Sequence, residues 1–483
     1  MQIRKYAIYL LPGILLCAYT YSSAQDDYQK WLEKEKKSYN RFLEKEDKAF
    51  SDFLKKEWKA YQSYQGIQSD EKPKPVAIPV ARPEDKPAPQ EPENITPIHP
   101  IKVPPPPKPK PKPKPVANKT TNLIMLEFYG APVSANYKRD IEFHLSNPIN
   151  NEMISAAWET MAGSSYKILL EQIQQNQKEL ALNDWGYIEL VNLFATKLFP
   201  SSQNEQNLFS WFMLCKTGFE AKVAYKNNTI YLLVPAENLI YANRFITLND
   251  KKYYFISFGQ PVDLTGQIYT YAGQYKDADR QISMRINQVP ILENQIENKN
   301  LDFKYNGESY IVPVQYDKDM INFLSHYPQT ELVLYFDAAV SNHAKISLLK
   351  SLKPYLEGKS EVEAVNFLLR FVQTAFKYEK DDEQFGKEKY LMPEETLFYP
   401  ASDCEDRSIL FSYLVRNLLD LDIIGLDYPG HISTAVNFHS KLNGAAVNVD
   451  DREFIICDPT YINAVAGMVM PQFKNVDPKV IRF

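Results

Sequence analysis

Seventeen of the 33 prolines fall between Pro73 and Pro115, in a stretch that ends P-P-P-P-K-P-K-P-K-P-K-P. Proline fixes φ and removes a backbone donor, so no compact element forms across such a run. It reads as extended polyproline II at about 3.1 Å per residue, a spacer that reaches on the order of 100 Å. The chain is thereby cut into a short N-terminal part and a C-terminal part long enough to bury a core. We place the linker at 67–120, a signal peptide and a helix before it, and the globular residues after it.

The linker's composition resembles the Pro-Lys spacers of TonB-type envelope proteins. Ahead of it, Arg4 and Lys5, the apolar run Tyr6 to Tyr19 and the small residues Ser22-Ser23-Ala24 read as a signal peptide over 1–24. Cys17 would suit a lipid anchor, but the bulky Leu16 before it does not. Export to the periplasm or cell envelope of a Gram-negative bacterium is the expectation, with membrane contact only if the signal stays uncleaved.

Residues 25–66 carry an eleven-residue repeat. Trp31-Leu32, Phe42-Leu43 and Phe53-Leu54 recur at that spacing, with Tyr28, Tyr39, Phe50 and Tyr61 as a second row. Eleven residues make three turns at about 3.7 residues per turn, so the aromatics stay on one face of a coiled-coil-like helix. A lone helix cannot bury that face. We expect a homo-oligomer through residues 26–64, and a folded monomer once they are removed.

The balance of 55 Lys+Arg against 60 Asp+Glu leaves no basic footprint, which argues against nucleic acid as a partner. Beyond Cys17 there are three thiols, Cys215, Cys404 and Cys457, so in an exported chain at least one is unpaired. Within 121–340, Met153 to Phe199 has helical spacing, followed by short alternating runs that read as strands, R-Q-I-S-M-R-I and E-L-V-L-Y-F among them. The run from Ser201 to Leu214 echoes Ala401 to Leu414, so 121–340 reads as an inactive copy of the last domain, 341–483. The fold class expected is α+β.

Cys404 lies in Y-P-A-S-D-C-E-D-R-S-I-L-F-S-Y-L. Pro400 stops any upstream helix, Asp403 can cap the next one, and Cys404 then sits in its first turn, where the helix dipole favours a thiolate. The apolar neighbours of Cys215 and Cys457 make those two packing residues. His431 follows the turn Pro429-Gly430 and opens an alternating strand, and Asp458 closes the strand E-F-I-I-C. Thiol, imidazole and carboxylate in that order are the parts of a nucleophile system: Cys404 attacks, His431 moves the proton and Asp458 orients His431. Asp450 and Asp451 read as a hairpin turn.

S-D-C-E-D-R-S, P-G-H-I-S-T-A-V and I-C-D-P-T-Y together resemble the bacterial transglutaminase-like cysteine protease superfamily over about the last 120 residues, with Ser402 where a glycine is usual. The resemblance implies a transglutaminase-like (papain-like) C-terminal domain and a thiol-dependent hydrolase that cleaves or exchanges amide bonds in a protein or peptide substrate. No cofactor is required. Gln373 or Tyr399 would serve as an oxyanion donor beside the Cys404 N–H. In some relatives the acids of this motif bind calcium, which would assign Asp403, Glu405 and Asp406 to a metal and offset their charge beside the thiol. The alternative is that these acids only cap the helix. A second reading of the whole chain is a non-catalytic envelope scaffold that oligomerises through its N-terminal helix.

Overall fold

The computed structural model describes residues 11–67, 80–82, 86, 98, 101, 121–259, 266–292 and 295–483, with the backbone alone for 11–28. The basic start of the expected signal peptide and most of the proline-rich stretch lie outside these residues. With 39% helix and 26% strand, the fold is α+β. Among the described residues no helix is long and apolar enough to cross a membrane.

One helix runs from Leu11 to Leu54, through the repeat. Its far end is part of the globular core. Phe50 and Leu54 are buried, and Phe50 packs among Trp158, Trp211, Tyr271 and Tyr275. Ser51 bonds Ser155 at 2.8 Å, and Asp47 pairs with Lys216, whose ammonium sits among aromatic rings. The chain then adds the edge strand Lys59–Tyr61 to the first sheet. Residues 26–64 are therefore not a detachable module, which corrects the expected independence of 120–483. The repeat face is divided: its last turns are covered in cis, whereas Trp31 (54%) and Tyr39 (62%) stay exposed.

Three helices, Asn151–Gly163, Tyr166–Glu179 and Asp184–Leu198, precede Gln203–Lys216, which is buried from Glu205 to Cys215. A six-stranded antiparallel sheet follows, ordered Lys59–Tyr61, Ile268–Thr270, Lys222–Lys226, Thr229–Pro235, Lys251–Ile256, Phe245–Leu248. The helix Cys404–Leu418 precedes a second antiparallel sheet, ordered Lys479–Ile481, Asp422–Tyr428, His431–Asn437, Arg452–Cys457, Ala446–Val449. Numbered from each helix onward, both sheets run 5-1-2-4-3.

Two expected strands differ. Arg280 to Ile286 makes only isolated bridges, Arg280 to Phe219 and Ile282 to Ala236. Leu332–Phe336 is a short helix with Leu334, Tyr335 and Phe336 all buried. A six-residue apolar run has too few periods to separate the two geometries, and packing decided. The hairpin Ile296–Tyr305 and Glu308–Asp317 packs Leu301, Phe303, Val312 and Val314 against the helices Asn342–Leu356 and Glu361–Thr374. The second core thus gathers residues from Leu301 onward, earlier than a boundary at 341.

Candidate active site

The sequence builds the start of the Cys404 helix from three directions. Asp403, with extended backbone, is the N-cap, and Cys404 is the first helical residue. Asp406 reaches back to accept from the Asp403 N–H at 3.2 Å, and its other oxygen accepts from Leu391 N at 2.9 Å. Beneath this turn lies Arg407, fully buried. Its Nε donates to Ser402 Oγ at 3.2 Å, and its terminal nitrogens donate to the carbonyls of Gln373 (3.2 Å) and Phe376 (2.9 Å). The serine that replaces the usual glycine is thus an acceptor for Arg407. Burial pushes the guanidinium pKa down to about 10, while Tyr378, Asp403, Asp406 and Cys404 pull the other way. It remains a cation at neutral pH, set among the acids of the motif.

Removing that cation should be costly. Arg407→Leu leaves three acceptors without their donor and the acids without a buried counter-charge, a loss of roughly 3–5 kcal/mol. Urea denaturation checks it: a midpoint within error of wild type would contradict this role.

His431 is placed by a two-residue turn. Tyr428 pairs with His431 across Pro429-Gly430, and Gly430 takes φ +76°. Asp450 and Asp451, at φ +51° and +60°, make the tight turn between the last two long strands. His431 Nε2 lies 2.8 Å from Asp458 Oδ2, and Asp458 Oδ1 accepts from the N–H groups of Thr460 (2.9 Å) and Tyr461 (3.1 Å). Burial alone would lower the His431 pKa. The Asp458 carboxylate and its hydrogen bond, with Glu405 and Asp403 beyond, outweigh burial and raise it. His431 Nδ1 makes no hydrogen bond, and Phe473 stacks parallel on the ring at 5.4 Å.

The Cys404 helix packs on the His431 strand, and Ser408 Oγ donates to Ile432 O at 3.1 Å. That bond sits one turn after Cys404 and one residue after His431, so it pins the two starts together. The thiol itself donates to Glu405 Oε2 at 2.9 Å. Cys404, His431 and Asp458 are 0%, 1% and 2% exposed, so the site is closed. Burial raises the pKa of each of the other two thiols, that of Cys215 to about 12.

Gln373 is not arranged as an oxyanion donor. Its amide nitrogen donates to the carbonyls of Asp458 (3.2 Å), Tyr461 (2.9 Å) and Ala464 (3.1 Å), fastening the loop that carries Asp458. Tyr399 packs on Phe385 and Phe398.

The three expected calcium ligands divide between two groups. Ligand atoms of Asp403, Cys404 and Glu405 lie within 4.8 Å of one another, as do those of Asp381, Asp403 and Asp406. Calcium takes about six to eight oxygens. Here one group contains a sulfur bonded to Glu405, and in the other Asp406 and Asp381 already accept backbone N–H groups. This donor set does not fit calcium, and no chemical step below passes through a metal.

In the first half, Asn204 stands where the sequence echo puts Cys404. Its Nδ2 donates to Asn228 O and its Oδ1 accepts from Ile230 N, both at 2.8 Å, astride the start of the strand Thr229–Pro235. Helix start and second-strand start meet there too, through an amide with no nucleophile. Elsewhere a cleft of about 1220 Å³ is lined by Tyr129, Trp185, Glu189, Phe258 and residues from both ends of the segment 380–389. It does not include Cys404, His431 or Asp458.

No protein-family model matches the chain, and no curated protein or solved structure is significantly similar to it. The transglutaminase-like resemblance therefore rests on the three motifs.

Arg407, Ser408 and Phe473 did not stand out from the sequence. Arg407 carried one signal, a charge on the first turn of an otherwise core-forming helix.

Proposed function

We propose that the protein is an exported, thiol-dependent hydrolase of transglutaminase-like type that cleaves or exchanges amide bonds in a protein or peptide of the cell envelope. One observation carries this: the His431–Asp458 pair at 2.8 Å leaves Nδ1 without a partner, on the strand start to which Ser408 ties the first turn of the Cys404 helix. Nδ1 takes the thiol proton as Sγ adds to the substrate carbonyl. The imidazolium, held by Asp458, returns that proton to the departing amine. Water, or an amine in an exchange, then attacks the thioester with His431 as base. The helix N-terminus favours the negative charge at Sγ.

We read residues 121–340 as a degenerate copy, on the shared 5-1-2-4-3 order and the position of Asn204. The scaffold reading is favoured by two other observations, the closed site and the exposed Trp31 and Tyr39.

The raised His431 pKa gives a test independent of substrate. A histidine raised above its ordinary 6.5 adds stability that is full below that value. The contribution is lost as pH climbs through the higher folded value. The stability gap between wild type and His431→Gln, from urea midpoints, should therefore narrow as pH rises from about 6 into the alkaline range. A gap that widens over that range would mean the Asp458 pairing does not hold the imidazolium.

A further inference from the structure

Val80, Ala81 and Arg82 belong to the proline-rich linker, yet they lie against the loop that carries Asp458. Val80 bridges Ile462 in parallel, and Ala81 N donates to Ile462 O at 2.7 Å. The Ala81 side chain is buried among Tyr461, Ala464, Met468 and Met470, whereas Val80 points out, 59% exposed. Phe473 packs on the same cluster and covers one face of the His431 ring.

This is how an extended peptide is read by an exposed backbone edge: a main-chain bond sets the register, and alternate side chains go in and out. The inward position is shaped for a small residue, because Tyr461 and the two methionines close over a methyl group. In the sequence Pro83 follows Arg82, and a proline biases the residue before it toward extended backbone. Cys404, His431 and Asp458 are meanwhile buried, and the cluster under Ala81 reaches the His431 ring through Phe473.

We propose that the edge at Ile462 is a docking subsite for extended peptides with a small inward side chain, and that Val80–Arg82 occupies it in cis as a tethered competitor. The inference rests on Cys404 acting on peptides and names how they are held. A tether of this kind holds the segment at roughly millimolar effective concentration, so a free peptide cannot displace it readily. Displacing it also loosens the support under Phe473 and opens the way to His431.

Two full-length variants test this. Ala81→Pro removes the N–H that bonds Ile462, and Ala81→Asp puts a charge among the methionines. The probe is a fluorescent peptide of the linker sequence I-P-V-A-R-P-E-D, read by anisotropy, with the same peptide carrying proline in place of its alanine as control. Both variants should bind the probe at least about fivefold more tightly than wild type, about what one net backbone hydrogen bond confers, and the control should not bind. Equal binding to wild type and both variants, or equal binding of probe and control, would overturn the proposal. Iodoacetamide labelling of Cys404, followed in the same samples, reports on the enzyme reading separately. Labelling that quickens in the variants supports both. Probe binding with an inert Cys404 keeps the docking edge and removes the hydrolase.

Discussion

Replacing Cys404 with alanine should lower amide-bond turnover by on the order of 10³-fold or more while leaving the fold intact. The other two thiols with described side chains do not substitute for it. Cys215 and Cys457 are held as thiols by burial, and Cys215 Sγ is bonded to the Ala221 carbonyl at 3.3 Å. The structural cost is small by comparison: one buried sulfur and its bond to Glu405, about 1–2 kcal/mol. Matched loss after Cys404→Ala and His431→Ala, with both proteins still folding cooperatively, is the expected pattern. Turnover that survives either change leaves the scaffold reading.

Deleting residues 26–64 should unfold the first core rather than release a tidy fragment. Phe50 sits among four aromatic residues and Leu54 is wholly buried, and truncations of this kind cost roughly 3–5 and 2–5 kcal/mol. The deletion also strips Asp47 from the buried Lys216 and removes an edge strand. Together that is comparable with the 5–15 kcal/mol that holds a typical domain. Circular dichroism should show lost cooperativity in the 65–483 chain. A deletion product that melts like wild type would mean these contacts contribute little. Self-association is better tested by removing 26–39 alone, which takes Trp31 and Tyr39 and spares the buried turns.

The parts of the site legible in the sequence were those fixed by local chemistry. Pro400 and Asp403 marked the helix start, Pro429-Gly430 the turn before His431, and Asp450-Asp451 a tight hairpin. Each is decided within a few residues by φ preference or capping. The rest depends on partners that the sequence does not advertise. Arg407 and Gln373 both bind backbone carbonyls, and a carbonyl belongs to every residue, so nothing in the chain points to Phe376 or Ala464 as acceptors. The same holds for Ala81, whose partner is the main chain of Ile462. The repeat was legible as a helix face but not as one half covered and half exposed, because periodicity says that a face is apolar and not what lies against it. Glu331 to Phe336 shows the limit from the other side: six residues carry too little period for pattern to outrank packing.

The most direct test of the hydrolase reading is the order in which Cys215, Cys404 and Cys457 of the folded protein react with iodoacetamide, resolved by peptide mass spectrometry. All three are buried, but Cys404 should be alkylated first, through the opening that a hydrolase needs to admit its substrate, and more slowly once His431 is replaced by alanine. Cys215 and Cys457 should stay unmodified until the chain unfolds. Equal labelling of all three thiols, or a Cys404 rate indifferent to His431, would contradict a Cys404–His431–Asp458 nucleophile.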